Sequence, residues 1–234
     1  MENKRKPLVV LENITKSYAM GELFVDALKG VSMELMEGDF ISVAGPSGSG
    51  KTTMMNIIGL IDRPSSGSLY IGGEKTDNAG RRGLTRLRRE YIGFVFQSFN
   101  LLPVLTVFEN VELPLLIGEK KISRAERRET VEYFLEEVGL ADRSAHKPAE
   151  LSGGQQQRAA IARAMVTKPR LVIADEPTAN LDSENGGKVL ELMKKVNKED
   201  GATFLFSTHD PDIWKIADHI LFLRDGVLVK EQKK

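Results

Sequence analysis

The octapeptide GPSGSGKT, residues 45–52, restricts what this chain can fold into more than any other stretch. It fits G-x-x-x-x-G-K-[ST] at every position. In that pattern glycines free a loop to wrap phosphate oxygens with its amides, the lysine reaches the β and γ oxygens, and the hydroxyl residue ligates Mg2+. The bare pattern arises by chance in roughly 1% of chains of this length, given average glycine usage. Its flanks lower that further, because FISVA (residues 40–44) reads as a buried strand and TTMMNIIGLI (52–61) as an apolar helix. A strand entering and a helix leaving a phosphate loop commit the chain to an α/β layer fold.

Other apolar runs share the character of FISVA, at residues 92–96, 171–174, 202–206 and 220–223. Runs without alternation suit strands buried on both faces of a mostly parallel sheet, and helical patterns fall between several of them. Residues 8–18 and 27–35 differ. They mix apolar and polar positions, as at Val31, Met33 and Leu35, and predict an antiparallel β part completed by GSLYIGG (67–73). Asp225-Gly226, between ILFLR and VLVK, predicts a hairpin turn. From about residue 98 to 166 the chain is mainly helical. Ser123 and Glu126 have capping-box spacing, Val131, Phe134, Leu135 and Val138 share one face, and Gly139 is placed to end that helix. The expected organisation is one domain: residues 1–97 and 167–234 form the core with its antiparallel part, and about 98–166 an inserted helical subdomain.

Charge excludes some classes of partner. Lys+Arg and Asp+Glu balance at 33 each, so no global field steers nucleic acid or acidic lipid. Without cysteine there are no disulfides or thiolate metal sites. No apolar run approaches the ~18–20 residues that span a bilayer, and the opening MENKRKPLVV has too short an apolar follow-on for a signal peptide. The chain is expected to be soluble in itself and to need another body to hold it at a membrane.

LVIADEP (171–177) is an apolar strand closed by Asp175 and Glu176. In a phosphate-loop fold the expected place for it is beside FISVA, with the carboxylates at the ligand end of the sheet. Asp175 then holds Mg2+, directly or through water, and Glu176, directed elsewhere, polarises a water in line with the γ-phosphate. LSGGQQQR (151–158) is a second anion-site candidate. Ser152, Gly153 and Gly154 open a helical pattern whose first amides are free to receive anionic oxygen.

These motifs stand in a fixed order: GPSGSGKT, Gln97 after a strand, LSGGQ, LVIADEP, NLD (180–182) and His209 after another strand. In that order the chain resembles the nucleotide-binding ATPase subunits of ABC transporters, from residue 8 to about 230. GFVFQSFNLLPVLTVFENVELPL (93–115), LSGGQQQRAAIARA and ADEPTANLD are most similar to the lipoprotein-release and macrolide-exporter branch. The family often has glycine where Ala179 stands, beside the active carboxylates rather than among them.

The resemblance implies a P-loop NTPase fold, ATP and Mg2+ as cofactors, and roles for named residues. Gly45, Pro46, Ser47, Gly48, Ser49, Gly50, Lys51, Thr52 and Thr53 would bind the nucleotide, and Tyr18 would stack on adenine. Thr52, Gln97 and Asp175 would ligate the metal. Glu176, His209, Gln97 and Lys51 would carry catalysis, with His209 on the γ-phosphate and Gln97 sensing its presence. Leu151, Ser152, Gly153, Gly154, Gln155 and Asp182 would contact nucleotide held by a second copy, packed head to tail. The implied partners are therefore an ATP-dependent homodimer and an integral membrane permease, reached from the cytoplasmic face of the membrane.

Two surfaces keep two readings each. Phe99, Leu101 and Leu102 in QSFNLLP (97–103) form either a groove for a helix of the membrane partner or part of the helical lobe's packing. Arg81, Arg82, Arg86, Arg88 and Arg89 form a solvated face or a partner contact. An ABC-type ATPase acting on DNA or ribosomes is the alternative function. One cassette, no heptad insertion and zero net charge argue against it.

Overall fold

The computed structural model describes residues 6–21, 23–118, 122–208 and 211–233. The chain order is β1 (Pro7–Met20), β2 (Leu23–Met36), β3 (Phe40–Ala44), α1 (Lys51–Ile58), β4 (Ser66–Ile71), β5 (Glu74–Lys75), α2 (Arg81–Tyr91) and β6 (Ile92–Val95). It continues with α3 (Val107–Ile117), α4 (Arg124–Glu137), α5 (Gly153–Met165), β7 (Leu171–Asp175), α6 (Ser183–Asp200), β8 (Thr203–Ser207), α7 (Pro211–Ile216), β9 (His219–Arg224) and β10 (Val227–Lys233).

Two sheets organise these elements. One is four-stranded and antiparallel, in the order β2-β1-β4-β5; the other is six-stranded, in the order β10-β9-β3-β8-β7-β6. Within the second, only the β9–β10 hairpin is antiparallel. That hairpin turns on Asp225 and Gly226, at φ 50° and 79°, the two positive angles a type I′ turn requires.

The uninterrupted apolar runs are explained by two cores, one on each face of the larger sheet. From β3, Phe40 and Ala44 enter the core shared with α3 to α6, while Ile41 and Val43 enter the core under α1 and the antiparallel sheet. β7 and β8 divide in the same way, with Phe204 and Phe206 on the first face and Leu205 on the second. Phe40 packs on both phenylalanines, with ring centroids 5.5 and 4.4 Å away. Alternation is present, but both faces are apolar, so it leaves no polar trace.

The strand order corrects one expectation. β7, which ends in Asp175, is not beside β3; β8 lies between them and pairs in parallel with both. All five residues of β8 are buried, as befits an interior strand. The acidic strand therefore meets the phosphate loop across the end of β8, not edge to edge.

Between β6 and β7 the chain forms α3, α4 and α5. Their caps are local: Thr106, Ser123 and Ser152 accept the amides of Glu109, Glu126 and Gln155. α4 buries Val131, Phe134 and Leu135 and ends at Val138, with Gly139 left-handed just beyond. Among the described residues no helix is long and apolar enough to cross a membrane.

Candidate functional site

The phosphate loop is seated by backbone from distant elements. A Cβ on Gly45 would lie 2.1 Å from the Leu223 carbonyl oxygen, and one on Gly50 would lie 2.4 Å from that of Ala27. Both glycines also have positive φ, 155° and 103°. Only glycine fits a loop pressed between β2 and the end of β9. α1 begins at once, with Gly50 supplying no side-chain cap, so the helix N-terminus presents its amides to the loop's concave side. The buried Ser49 Oγ has no hydrogen-bond partner among the described residues.

Lys51 Nζ donates to the carbonyls of Gly45 at 2.7 Å and Pro46 at 2.9 Å, so the ammonium lies across the loop. Phosphate oxygens in the loop would meet that charge directly. Lys51→Ala is expected to weaken ATP binding by roughly 10- to 100-fold, the equivalent of one charge-assisted contact. Titration calorimetry checks it, and unchanged affinity would remove Lys51 from the site.

At the end of β7, Asp175 is paired in register with Ser207 of β8. Burial raises the Asp175 carboxyl above the usual range; a hydrogen bond from Ser207 opposes this, Glu176 adds to it and Lys51 offsets it. Lys51 and the acid pair are thus electrostatic neighbours across the loop. Glu176 is left-handed at φ 47°, and its amide donates to the Ser207 carbonyl at 2.8 Å. The chain bends out of the strand there, which gives the two adjacent carboxylates different directions. Ser207 therefore fixes both acids, one through its hydroxyl and one through its backbone. The sequence reading missed it, although a serine closing an apolar strand was the available signal.

Among the described residues no group of three or more His, Asp or Glu could hold a metal unaided. Asp175 with the neutral oxygens of Thr52 and Gln97 suits Mg2+, which takes one or two carboxylates and completes its shell with phosphate and water. The residues present fit that ion. His209 lies outside the described residues.

Gln97 follows β6 and is exposed. Its loop is fastened at two points. Asn180 Nδ2 donates to the Gln97 carbonyl at 2.9 Å, and Arg163 of α5 donates to the carbonyls of Phe99 and Asn100. Both of those residues are left-handed, at φ 58° and 51°. Burial lowers the pKa of Arg163, whose hydrogen bonds run to neutral carbonyls. A desolvated guanidinium thus stabilises an otherwise costly turn.

The start of α5 carries LSGG. Ser152 and Gln155 form a reciprocal capping box, at 3.3 and 2.9 Å. One of the amides expected to be free, that of Gln155, is therefore occupied, and Gly153 and Gly154 hold the open end. Leu151 is buried before them. Gly153 faces Asn180, Leu181 and Phe99, while a Cβ on Gly154 would lie 2.9 Å from the Asn185 amide carbon. Asp182 caps α6 by accepting from the Asn185 amide at 3.0 Å, which holds its carboxyl below the usual range. The neighbours of Gly153 and Gly154 lie in residues 97–100 and 178–185; those of Gly45 and Gly50 belong to β2, β9 and the loop itself. The two sets share no residue.

Tyr18 of β1 is 37% exposed, and the Thr53 side chain of α1 lies near enough to its hydroxyl to oppose the pKa rise that burial causes, which brings it beside the phosphate loop. The apolar groove divides: Leu101 packs on the core, whereas Leu102 and Val104 are exposed. In α2, Arg86 pairs with Glu74 and Glu90, and Arg88 donates to the Leu60 carbonyl, the pattern of a solvated face.

The family model described as ABC transporter matches residues 28–179. An uncharacterized ABC transporter ATP-binding protein, MJ0796 of Methanocaldococcus jannaschii, is 49% identical over 97% of both chains. The macrolide export ATP-binding/permease protein MacB of Marinobacter nauticus is 45% identical over 97% of this chain, which spans 35% of that longer protein. The solved dimer of MJ0796 in a post-hydrolysis state, bound to ADP and Pi, superposes with a TM-score of 0.90 at 48% identity, covering 96% of this chain and 98% of that one.

Proposed function

We propose, from the premise that this chain belongs to the ABC transporter family, that two copies complete each other's ATPase sites around Mg-ATP. The chain is an ATP-binding and ATP-hydrolysing transporter subunit. What supports the shared-site reading is that the atoms nearest Gly153 and Gly154 belong to residues 99 and 180–185, whereas those nearest Gly45 and Gly50 belong to β2, β9 and Ser49, together with the dimeric, ADP- and Pi-bound structure of the MJ0796 cassette.

The named residues divide binding and hydrolysis among them. The loop amides, Lys51 and Thr52 hold the triphosphate, and Tyr18 carries the base. Glu176 takes a proton from the attacking water, which Gln97 and His209 orient at the γ-phosphate. Ser152, Gly153, Gly154 and Gln155, with Leu151 and Asp182 at their flanks, approach that γ-phosphate from the partner copy. Thr52, Gln97 and Asp175 would hold Mg2+, which neutralises charge on the phosphate oxygens. Loss of the γ-phosphate removes contacts from both copies and releases the closed dimer. A membrane-spanning permease takes up that opening and closing, with the exposed Leu102 and Val104 beside the Gln97 loop as its contact. The chain then sits on the cytoplasmic face of the membrane through that partner.

Ser152→Ala tests the shared site. The monomer is expected to keep its ATP affinity, while hydrolysis and ATP-dependent dimerisation fall about 10-fold for one lost charge-assisted contact. The lost cap costs about 1 kcal/mol of stability, so thermal melting accompanies the assay. Weaker ATP binding by the monomer would mean that LSGGQ acts within its own chain.

A further inference from the structure

Tyr18 is held more tightly than an exposed strand residue requires. Its hydroxyl donates to Asp62 Oδ2 at 2.8 Å. Lys16, two positions earlier on the same face of β1, donates to Asp62 Oδ1 at 2.8 Å and to the Arg63 carbonyl at 2.7 Å. Its ammonium lies 4.9 Å from the Tyr18 ring centroid. Asp62 is itself anchored in the turn after α1, where its amide donates to Asn56 and its carboxylate accepts from the Arg63 amide. Lys16 is nearly buried by these contacts, with 12% of its side chain exposed.

We propose that Asp62 is a positioning residue for nucleobase binding: it fixes the Tyr18 ring and stations Lys16 on one face, so that a purine stacks on the other. The proposal rests on the reading of Tyr18 as the base platform. Its physical content is preorganisation. A ring already held by its hydroxyl, with a cation over the face not used, gives up little rotamer freedom when a base arrives. The placement of Asp62 adds a second effect. α1 carries Lys51, Thr52 and Thr53 in its first turn and Asp62 just past its end. One short rigid element therefore ties the phosphate ligands to the anchor of the platform and sets the distance between the two ends of the nucleotide.

Binding of ATP and of inorganic tripolyphosphate to the intact chain, measured by calorimetry, separates the possibilities. Tyr18→Ala is expected to weaken ATP binding about 10-fold, the loss of one stacked base, with tripolyphosphate unaffected. Asp62→Asn converts one of two needed acceptor oxygens into a donor, and Tyr18→Phe removes the tethered hydroxyl while keeping the ring. Each is expected to weaken ATP binding roughly 3- to 10-fold, the double variant no more than either single one, and tripolyphosphate not at all. If Tyr18→Ala leaves ATP affinity unchanged, the platform reading itself fails. If Tyr18→Ala acts and the other two do not, only the role of Asp62 is overturned. Equal losses of ATP and tripolyphosphate in Asp62→Asn, or additive losses in the double variant, overturn it as well. Tyr18→Phe leaves the Asp62–Lys16 pair intact, so the test survives even if Asp62→Asn folds poorly.

Discussion

Glu176→Gln is expected to bind ATP normally, to hydrolyse it roughly 100- to 1,000-fold more slowly, and to elute as a dimer with ATP. Gln has the shape of Glu, and the backbone N–H of residue 176 still donates to the Ser207 carbonyl, so the left-handed bend there survives. What it lacks is the capacity to accept a proton from water. The γ-phosphate then stays in place and continues to bridge two copies. Hydrolysis rates and sizing chromatography check both halves. A slow variant that remains monomeric with ATP would leave Glu176 a base but remove the phosphate bridge from the mechanism.

Gly45→Ala is expected to be the most damaging small change in the chain. A methyl group there would lie 2.1 Å from the Leu223 carbonyl oxygen and 2.8 Å from Ser49 Oγ. The first neighbour is backbone at the end of a strand paired on both sides, so it cannot step aside. Clash and positive φ together put the cost at about 3 kcal/mol or more, with ATP binding lost alongside stability. Gly73→Ala is the control, because its φ is also positive, 86°, but its Cβ would meet nothing within 4 Å. That variant should lose only about 1 kcal/mol and no ATP affinity. Urea unfolding and calorimetry compare the two. Equal losses would mean that φ alone, not the seat against β9, makes Gly45 necessary.

The parts of this architecture that were legible in the sequence are those whose cause is local. The Asp225-Gly226 turn, the cap at Ser123 and the strand–loop–helix around Lys51 each depend on residues a few positions apart. Strand order has no such local cause. β8 fits between β3 and β7 because it is apolar on both faces, but β3 and β7 are apolar on both faces too, so composition alone could not rank them. Residues that act through distant partners were equally hidden. Arg163 looks like an ordinary helix cation until its carbonyl partners at 99 and 100 are brought near. Asp62 sits in an unremarked turn, and its significance lies in a tyrosine of the first strand. Phe99 and Asn100 carry no glycine to announce a left-handed bend; tertiary contacts impose it.

The seating of the phosphate loop also constrains the order in which the protein can become competent. GPSGSGKT leaves the ribosome early, yet it is pressed against the carbonyl of Leu223, and Ser49 accepts the amide of Gly226. Gly226 in turn accepts from Lys29 of β2, closing a ring of backbone contacts around the loop. A nascent chain that has not yet produced residue 223 possesses the motif but not its mould. The native seat of the phosphate loop is thus complete only once the β9–β10 turn is in place.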